Sequence, residues 1–145
     1  MIPELVDVGA SWHVLPPGVH DATFEEIEEC FATNGRRQAL YRGLIRGCKA
    51  LKSAGCTVVY LDGSFVTEKP MPNDYDVCWN PFNVDADKLD PVFLDFTSGR
   101  SKQKSKYGGE YFPSSTKADG NIPFIKYFQT SKDTGTEKGI IRIYL

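Results

Sequence analysis

Residues 57 to 65 read Thr-Val-Val-Tyr-Leu-Asp-Gly-Ser-Phe, and residues 74 to 79 read Asp-Tyr-Asp-Val-Cys-Trp. The first five residues are β-branched or apolar throughout, the composition of a strand covered on both faces. Asp62, Gly63 and Ser64 end that strand, and Pro70, Pro72 and Asn73 mark a loop. The second stretch alternates polar and apolar residues until Asn80 and Pro81 stop it, so it reads as a second strand. Side chains alternate along a strand with period two, which places Asp74 and Asp76 on one face.

Working outward, Thr23 stands three residues before Glu26, a capping-box spacing, and Phe24, Ile27, Cys30 and Phe31 follow at helical intervals. A short acidic helix is expected over 23 to 32. A longer one is expected over 36 to 53, from Leu40, Tyr41, Leu44, Ile45, Cys48 and Leu51, stopping at Gly55. Arg42, Arg46 and Lys49 share the opposite side of it, as a solvated face or as a phosphate contact. The first twenty residues hold Pro3, Pro16, Pro17 and Gly18 without periodicity, so they read as an extended arm ending near His20. From 85 to 106 a helix is expected, with Pro91 in a first turn and a break at Gly99. Gly108 and Gly109 turn into a short strand, 122 to 130 fits helix or strand, and 140 to 145 reads as a closing strand. The fold class is α+β, a short mixed sheet backed by helices. One domain spans 1 to 145, divided into an arm (1 to 22), a helical preface (23 to 54) and a core (57 to 145).

A chain of 145 residues with 41% hydrophobic residues can bury a core without metal or disulfide staples. Its formal charge of −2 disfavours a general nucleic-acid-coating protein. The charge is segregated, however: residues 1 to 34 carry seven acids and no Lys or Arg, and residues 36 to 52 carry six bases and no acid. An anionic substrate is therefore not excluded. The four cysteines form no C-x-x-C pair and stand far from His13 and His20, so buried thiols are expected rather than a zinc site. No apolar run suggests a membrane span, and Pro3, Glu4 and Asp7 do not open a signal peptide. These features fit a soluble cytoplasmic protein.

The chemistry concentrates where the two strands end. Gly63 lets the backbone turn sharply and approach a ligand, and Ser64 offers a hydroxyl and an N–H for a phosphate. Asp74 and Asp76 project side by side and repel unless a cation sits between them, and Mg²⁺ is the hard ion that carboxylate and phosphate oxygens prefer. An exposed polar face also accounts for two acids at this spacing, and Gly-Ser is common in turns; the order of the two motifs is what points to catalysis.

Gly63-Ser64, nine intervening residues, then Asp74-x-Asp76 resembles the signature of the DNA polymerase β-type nucleotidyltransferase superfamily, especially its small single-domain bacterial members. The context from Leu61 to Thr67 and from Pro72 to Val77, the Leu15-Pro16-Pro17-Gly18 arm and Lys106-Tyr107-Gly108-Gly109-Glu110 also resemble a group of bacterial and phage proteins assigned to that superfamily. The resemblance implies a nucleotidyltransferase-like sheet, with Gly63 and Ser64 on the phosphates of a nucleoside triphosphate such as ATP and Asp74 and Asp76 on two Mg²⁺ ions. The implied reaction moves a nucleoside monophosphate onto a hydroxyl of a protein, an RNA or a small molecule and releases pyrophosphate. A third carboxylate is usual. Glu110 at the start of the next strand is favoured over Asp95, which lies in a segment that looks helical. The chain departs from the pattern with Glu68, Lys69 and Pro70 where many members carry Gly and Arg, and with Asn73 before the first Asp.

Arg100, Lys102, Lys104, Lys106 and Lys117 supply positive charge for a triphosphate, and Lys102 and Lys106 at i, i+4 reach one phosphate tail if their segment is helical. Tyr107 and Tyr111 are core residues or base-stacking partners. Small members of the superfamily often serve as toxins, antitoxins or phage-defence components, which implies an antitoxin or another partner protein. A catalytically inactive nucleotide- or protein-binding module of the same fold is the alternative. An antibiotic-modifying adenylyltransferase would need an acceptor pocket for which the chain has little room.

Overall fold

A computed structural model describes residues 1–115, 117–119, 122–131 and 134–145. The architecture is α+β. Strands β1 (Gly18–Asp21), β2 (Val58–Asp62), β3 (Tyr75–Trp79), β4 (Gly109–Pro113) and β7 (Gly139–Tyr144) form one mixed sheet in the order β1-β7-β2-β3-β4. β5 (Lys117–Asp119) and β6 (Ile122–Pro123) pair separately. The helices are α1 (Phe24–Phe31), α2 (Gly35–Ser53), α3 (Thr97–Tyr107) and the single turn α4 (Phe124–Tyr127).

Local chemistry sets the helix ends. The Thr23 hydroxyl accepts from Glu26 N, and the Glu26 carboxylate accepts from Thr23 N, a complete capping box. Asn34 caps α2 by accepting from Arg37 N. Gly55, at φ +105°, follows its last turn with its Cα against the Asn83 carbonyl, a position no other residue fills without strain.

Two expectations need correction. The end of the arm is a strand, because β1 pairs in parallel with β7 from Gly18 opposite Gly139 to Asp21 opposite Arg142. The 85 to 106 stretch is not one interrupted helix: Pro91–Leu94 is a 3-10 turn capped by Asp90, and α3 begins only after it. The entry to α3 is itself unusual. Ser98, Gly99 and Arg100 take φ of 51°, 62° and 59°, one turn of left-handed backbone, which costs about 1–2 kcal/mol for each non-glycine residue. Pairing of the thiols with the core holds for Cys48, Cys56 and Cys78, whereas Cys30 is exposed. Burial pushes the Cys78 thiol up to about 12.

Alternation divides the sheet residues between two faces. Val59, Leu61, Tyr75, Val77, Tyr111, Ile141 and Ile143 point to the side of α1 and α2 and are at most 1% exposed. There Phe93 stacks on Tyr107 at 5.2 Å and meets Tyr111 edge-on at 4.9 Å. The Tyr75 hydroxyl donates to the Tyr107 carbonyl (2.9 Å), so the Tyr111 hydroxyl, 2.5 Å away, donates to Tyr75. Tyr107 and Tyr111 are thus core, not base-stacking, residues. Gly43 and Gly47 of α2 admit this cluster: a Cβ there would stand 1.8 Å from the Tyr107 carbonyl oxygen or 2.0 Å from the Tyr111 hydroxyl. The opposite face carries Cys78, Phe112 and Ile140, covered by Phe128 and by Phe124 and Tyr127 of α4. Among the described residues no helix is long and apolar enough to cross a membrane.

Candidate functional site

The motif residues meet at one end of that second face. Gly63 leaves β2 at φ +91°, a region that favours glycine, and a Cβ on it would come within 3.1 Å of Asp76 Oδ2. Ser64 then opens a 3-10 turn, Ser64–Val66, and its carbonyl accepts from the Thr67 hydroxyl at 2.7 Å. Register does the rest. Asp62 on β2 lies opposite Asp76 on β3, and Asp76 lies opposite Glu110 on β4. Three acids therefore form a row across three adjacent strands, with Asp74 one step beyond Asp76 at the mouth of β3. Like charges placed directly opposite destabilise a sheet unless cations offset them.

Two lysines supply part of that offset. Lys138 Nζ sits 2.5 Å from Asp62 Oδ1, and both side chains are largely buried. Lys104 Nζ lies 3.0 Å from Glu110 Oε1 and 3.9 Å from Asp74 Oδ2. Burial and then the charge of Glu110 raise the Asp74 carboxyl above the usual carboxylate range, against the pull of Lys104, Lys69 and Arg36. The hydrogen bond to Glu110 raises Lys104 in turn. Asp62, Gly63, Ser64, Asp74, Asp76 and Lys138 line a cleft of about 300 Å³, whose other walls include Trp12 and Val14 of the arm and Tyr127 and Phe128.

A clamp of two arginines at the start of α2 holds the intervening loop. Arg37 is 3% exposed, and its guanidinium donates to the carbonyls of Phe31 (3.0 Å), Phe65 (2.7 Å), Thr67 (2.7 Å) and Lys69. Arg36 donates to Pro72 O at 3.0 Å and to Asn73 O, immediately before Asp74. Together they fix the path from Ser64 to Asp74. Cations in the first turn oppose the helix dipole, so an Arg-Arg pair placed there was the sequence signal of a role other than helix stability.

Of the residues singled out in the sequence, Gly63, Ser64, Asp74, Asp76 and Glu110 come together. Asp95 stands apart, accepting from Thr97 N and its hydroxyl and pairing with Lys102 at 3.3 Å. Lys106 pairs with Asp90 at 2.5 Å. Neither Lys102 nor Lys106 reaches the acid row; Lys104, between them, does. The side chain of Lys117 lies outside the described residues. Asp62 and Lys138 escaped the sequence reading, since Asp62 looked only like the end of a strand and Lys138 is remote in the chain. Among the described residues no three His, Cys, Asp or Glu side chains form a ready-made metal cluster.

A family model described as a family of unknown function (DUF6932) matches residues 7–144. No curated protein and no solved structure matches the chain.

Proposed function

We propose that this chain, which belongs to the DUF6932 family of unknown function, is a Mg²⁺-dependent nucleotidyltransferase that moves a nucleoside monophosphate from a nucleoside triphosphate onto a hydroxyl of a protein or RNA. The observation that carries this reading is the register of β2, β3 and β4: it sets Asp76 against Glu110 and beside Gly63, with Asp74 on the same face.

The donor chemistry fits magnesium. The acids offer only carboxylate oxygens, and burial together with the charge of Glu110 raises the Asp74 carboxyl, a penalty that a bound cation would offset. Mg²⁺ is usually held by one or two carboxylates plus substrate phosphates rather than by a protein cage, so a preformed cluster is not required. Asp74 and Asp76 would be the ligands, with Glu110 beside them. A pair of bound ions would supply charge neutralisation and a clamp on the attacking and leaving oxygens. The protein's own share would be positioning: Gly63 and Ser64 would offer backbone N–H and hydroxyl groups to phosphate, and Glu110 would accept the proton of the incoming hydroxyl. The Arg36 and Arg37 clamp keeps both motifs in register while the nucleotide enters. The proposed setting is the cytoplasm, with a partner protein such as an antitoxin or with a phage-defence role, which rests on the superfamily resemblance.

A second reading is a nucleotide- or protein-binding module without turnover. Lys104 favours it, because its ammonium already sits between Asp74 and Glu110. One assay separates the two: purified protein is incubated with Mg²⁺ or Mn²⁺ and each labelled nucleoside triphosphate, with itself, RNA and cell extract as acceptors. Wild type should transfer label, and Asp74→Ala and Asp76→Ala should each lose at least about 1000-fold, equivalent to about 4 kcal/mol. Transfer by the variants at the wild-type rate, or none by wild type, overturns the enzyme reading.

A further inference from the structure

The left-handed turn that opens α3 delivers one side chain to the acid row. Arg100 lies with its guanidinium carbon 3.9 Å from the centroid of the Phe112 ring, 4.7 Å from Phe96 and 5.9 Å from Phe124. Phe112 and Glu110 are two residues apart on β4 and therefore share a face, so this aromatic cage holds the guanidinium on the Glu110 side of the row. The charges of Glu110 and Asp76 reach it, against the effect of its own burial.

Arg100 nevertheless bonds to neither acid. Its Nε is buried without a hydrogen-bond partner among the described residues, and there the guanidinium makes no ion pair. The neighbouring lysines differ: Lys102, Lys104 and Lys106 are each taken up by a carboxylate. A buried donor left unpaired is costly, and strained backbone persists where the surroundings over-determine it, most often at ligand sites. Sterics do not account for the turn, since a Cβ on Gly99 would meet nothing within 4 Å. The cage orients a planar fork of donors whose geometry matches phosphate oxygens in pairs.

We propose that Arg100 binds the terminal phosphates of the nucleotide, on the β4 side of the acid row, while Gly63 and Ser64 bind phosphate on the β2 side. The two anchors are two strand spacings apart, roughly 10 Å, with Asp76 between them. This deepens the nucleotidyltransferase reading and rests on it.

The test is calorimetric binding of inorganic pyrophosphate to the full chain in Mg²⁺ buffer, with thermal unfolding of each protein in parallel. Arg100→Ala should weaken binding at least 10-fold, and Arg100→Lys, which keeps the charge and loses the fork, at least about 5-fold. Arg100→Gly should weaken binding as Ala does while leaving the melting temperature unchanged or higher, because glycine relieves the left-handed backbone. A residue that only packs on Phe112 would behave in the opposite way: a lower melting temperature and unchanged pyrophosphate affinity, which overturns the proposal. Should Arg100→Ala fail to fold, the Lys and Gly variants decide by the same criteria. A short single-stranded RNA titrated in parallel separates nucleotide phosphates from acceptor phosphodiesters, and a change confined to the RNA also overturns it. Label transfer by wild type with unaltered pyrophosphate binding in folded Arg100 variants removes this inference alone. Weakened pyrophosphate binding in a chain that transfers no label removes the enzyme reading alone.

Discussion

The two faces of the central sheet are cut from the same strands, one residue out of phase. On the helix side Tyr75, Val77 and Tyr111 are wholly buried, both tyrosine hydroxyls are hydrogen-bonded, and the glycines of α2 leave no spare space. On the other side Asp76 and Glu110 stand beside Tyr75 and Tyr111 in sequence, yet they are partly exposed, and Asp76 lines a cleft walled by the arm and α4. Strand alternation thus lets one segment of five residues serve the core on one side and the candidate site on the other. Substitutions should therefore divide by face: Tyr75, Val77 and Tyr111 should govern stability, and the acidic even positions Asp76 and Glu110 should govern activity, while Cys78 and Phe112 pack under α4.

The largest effect should come from the helix side. Gly43→Ala improves helix propensity but drives a methyl into the Tyr107 carbonyl, so α2 and α3 must separate. A loss of about 3 kcal/mol is expected, read as a lower urea midpoint; a neutral or stabilising result breaks the division. On the site side the sign should reverse. Asp74→Asn removes a carboxylate whose pKa is raised by burial and by Glu110, so the folded protein binds its proton more tightly than the unfolded chain does. The native state is therefore penalised once pH rises above that raised value, and the penalty disappears below the unfolded-chain carboxylate range. The variant should gain about 0.5 kcal/mol at neutral pH, and nothing in strong acid, while losing transfer activity. A stability loss at neutral pH contradicts the reversal.

The smallest effect concerns the sheet edge, which belongs to neither role. Arg142 of β7 donates to the Asp21 carboxylate of β1 at 2.6 and 3.1 Å and holds it below the usual range. That stability is present above the unfolded-chain value and is lost as pH falls through the folded one. Asp21→Asn should lower the urea midpoint slightly at pH 7 and flatten its acid limb below about pH 5, so that variant and wild type converge in strong acid. An unchanged acid limb shows that the edge pair contributes nothing.

Local pattern made much of this legible. The capping box at Thr23, the periodicity that ends at Gly55 and the alternation from Asp74 to Trp79 locate α1, α2 and β3 to within a residue or two, because those signals act over a few residues. Register is different. Nothing within β2 says that Asp62 will face Asp76, and nothing near 138 says that a lysine will reach Asp62 across 76 residues of chain. Glu110 could be favoured over Asp95 because a Gly-Gly turn precedes it, whereas the left-handed entry to α3 had no cue beyond Gly99. Lys102 and Lys106 were read from helical spacing alone; the carboxylates that occupy them, Asp95 and Asp90, come from the turn before α3 and could be placed only by tertiary structure.

The position of β7 carries a consequence for synthesis. This strand is made after the other described strands of the sheet, yet it lies inside it, between β1 and β2. Until Gly139–Tyr144 clears the ribosome, β1 has no neighbour and one flank of β2 stays open. Such distant pairings slow folding, because the chain must close long loops before contacts reward it. The nascent chain would hold its acids in place on β2, β3 and β4 while an unfinished edge remained exposed, the stage at which a chaperone or a partner protein has most to gain by binding.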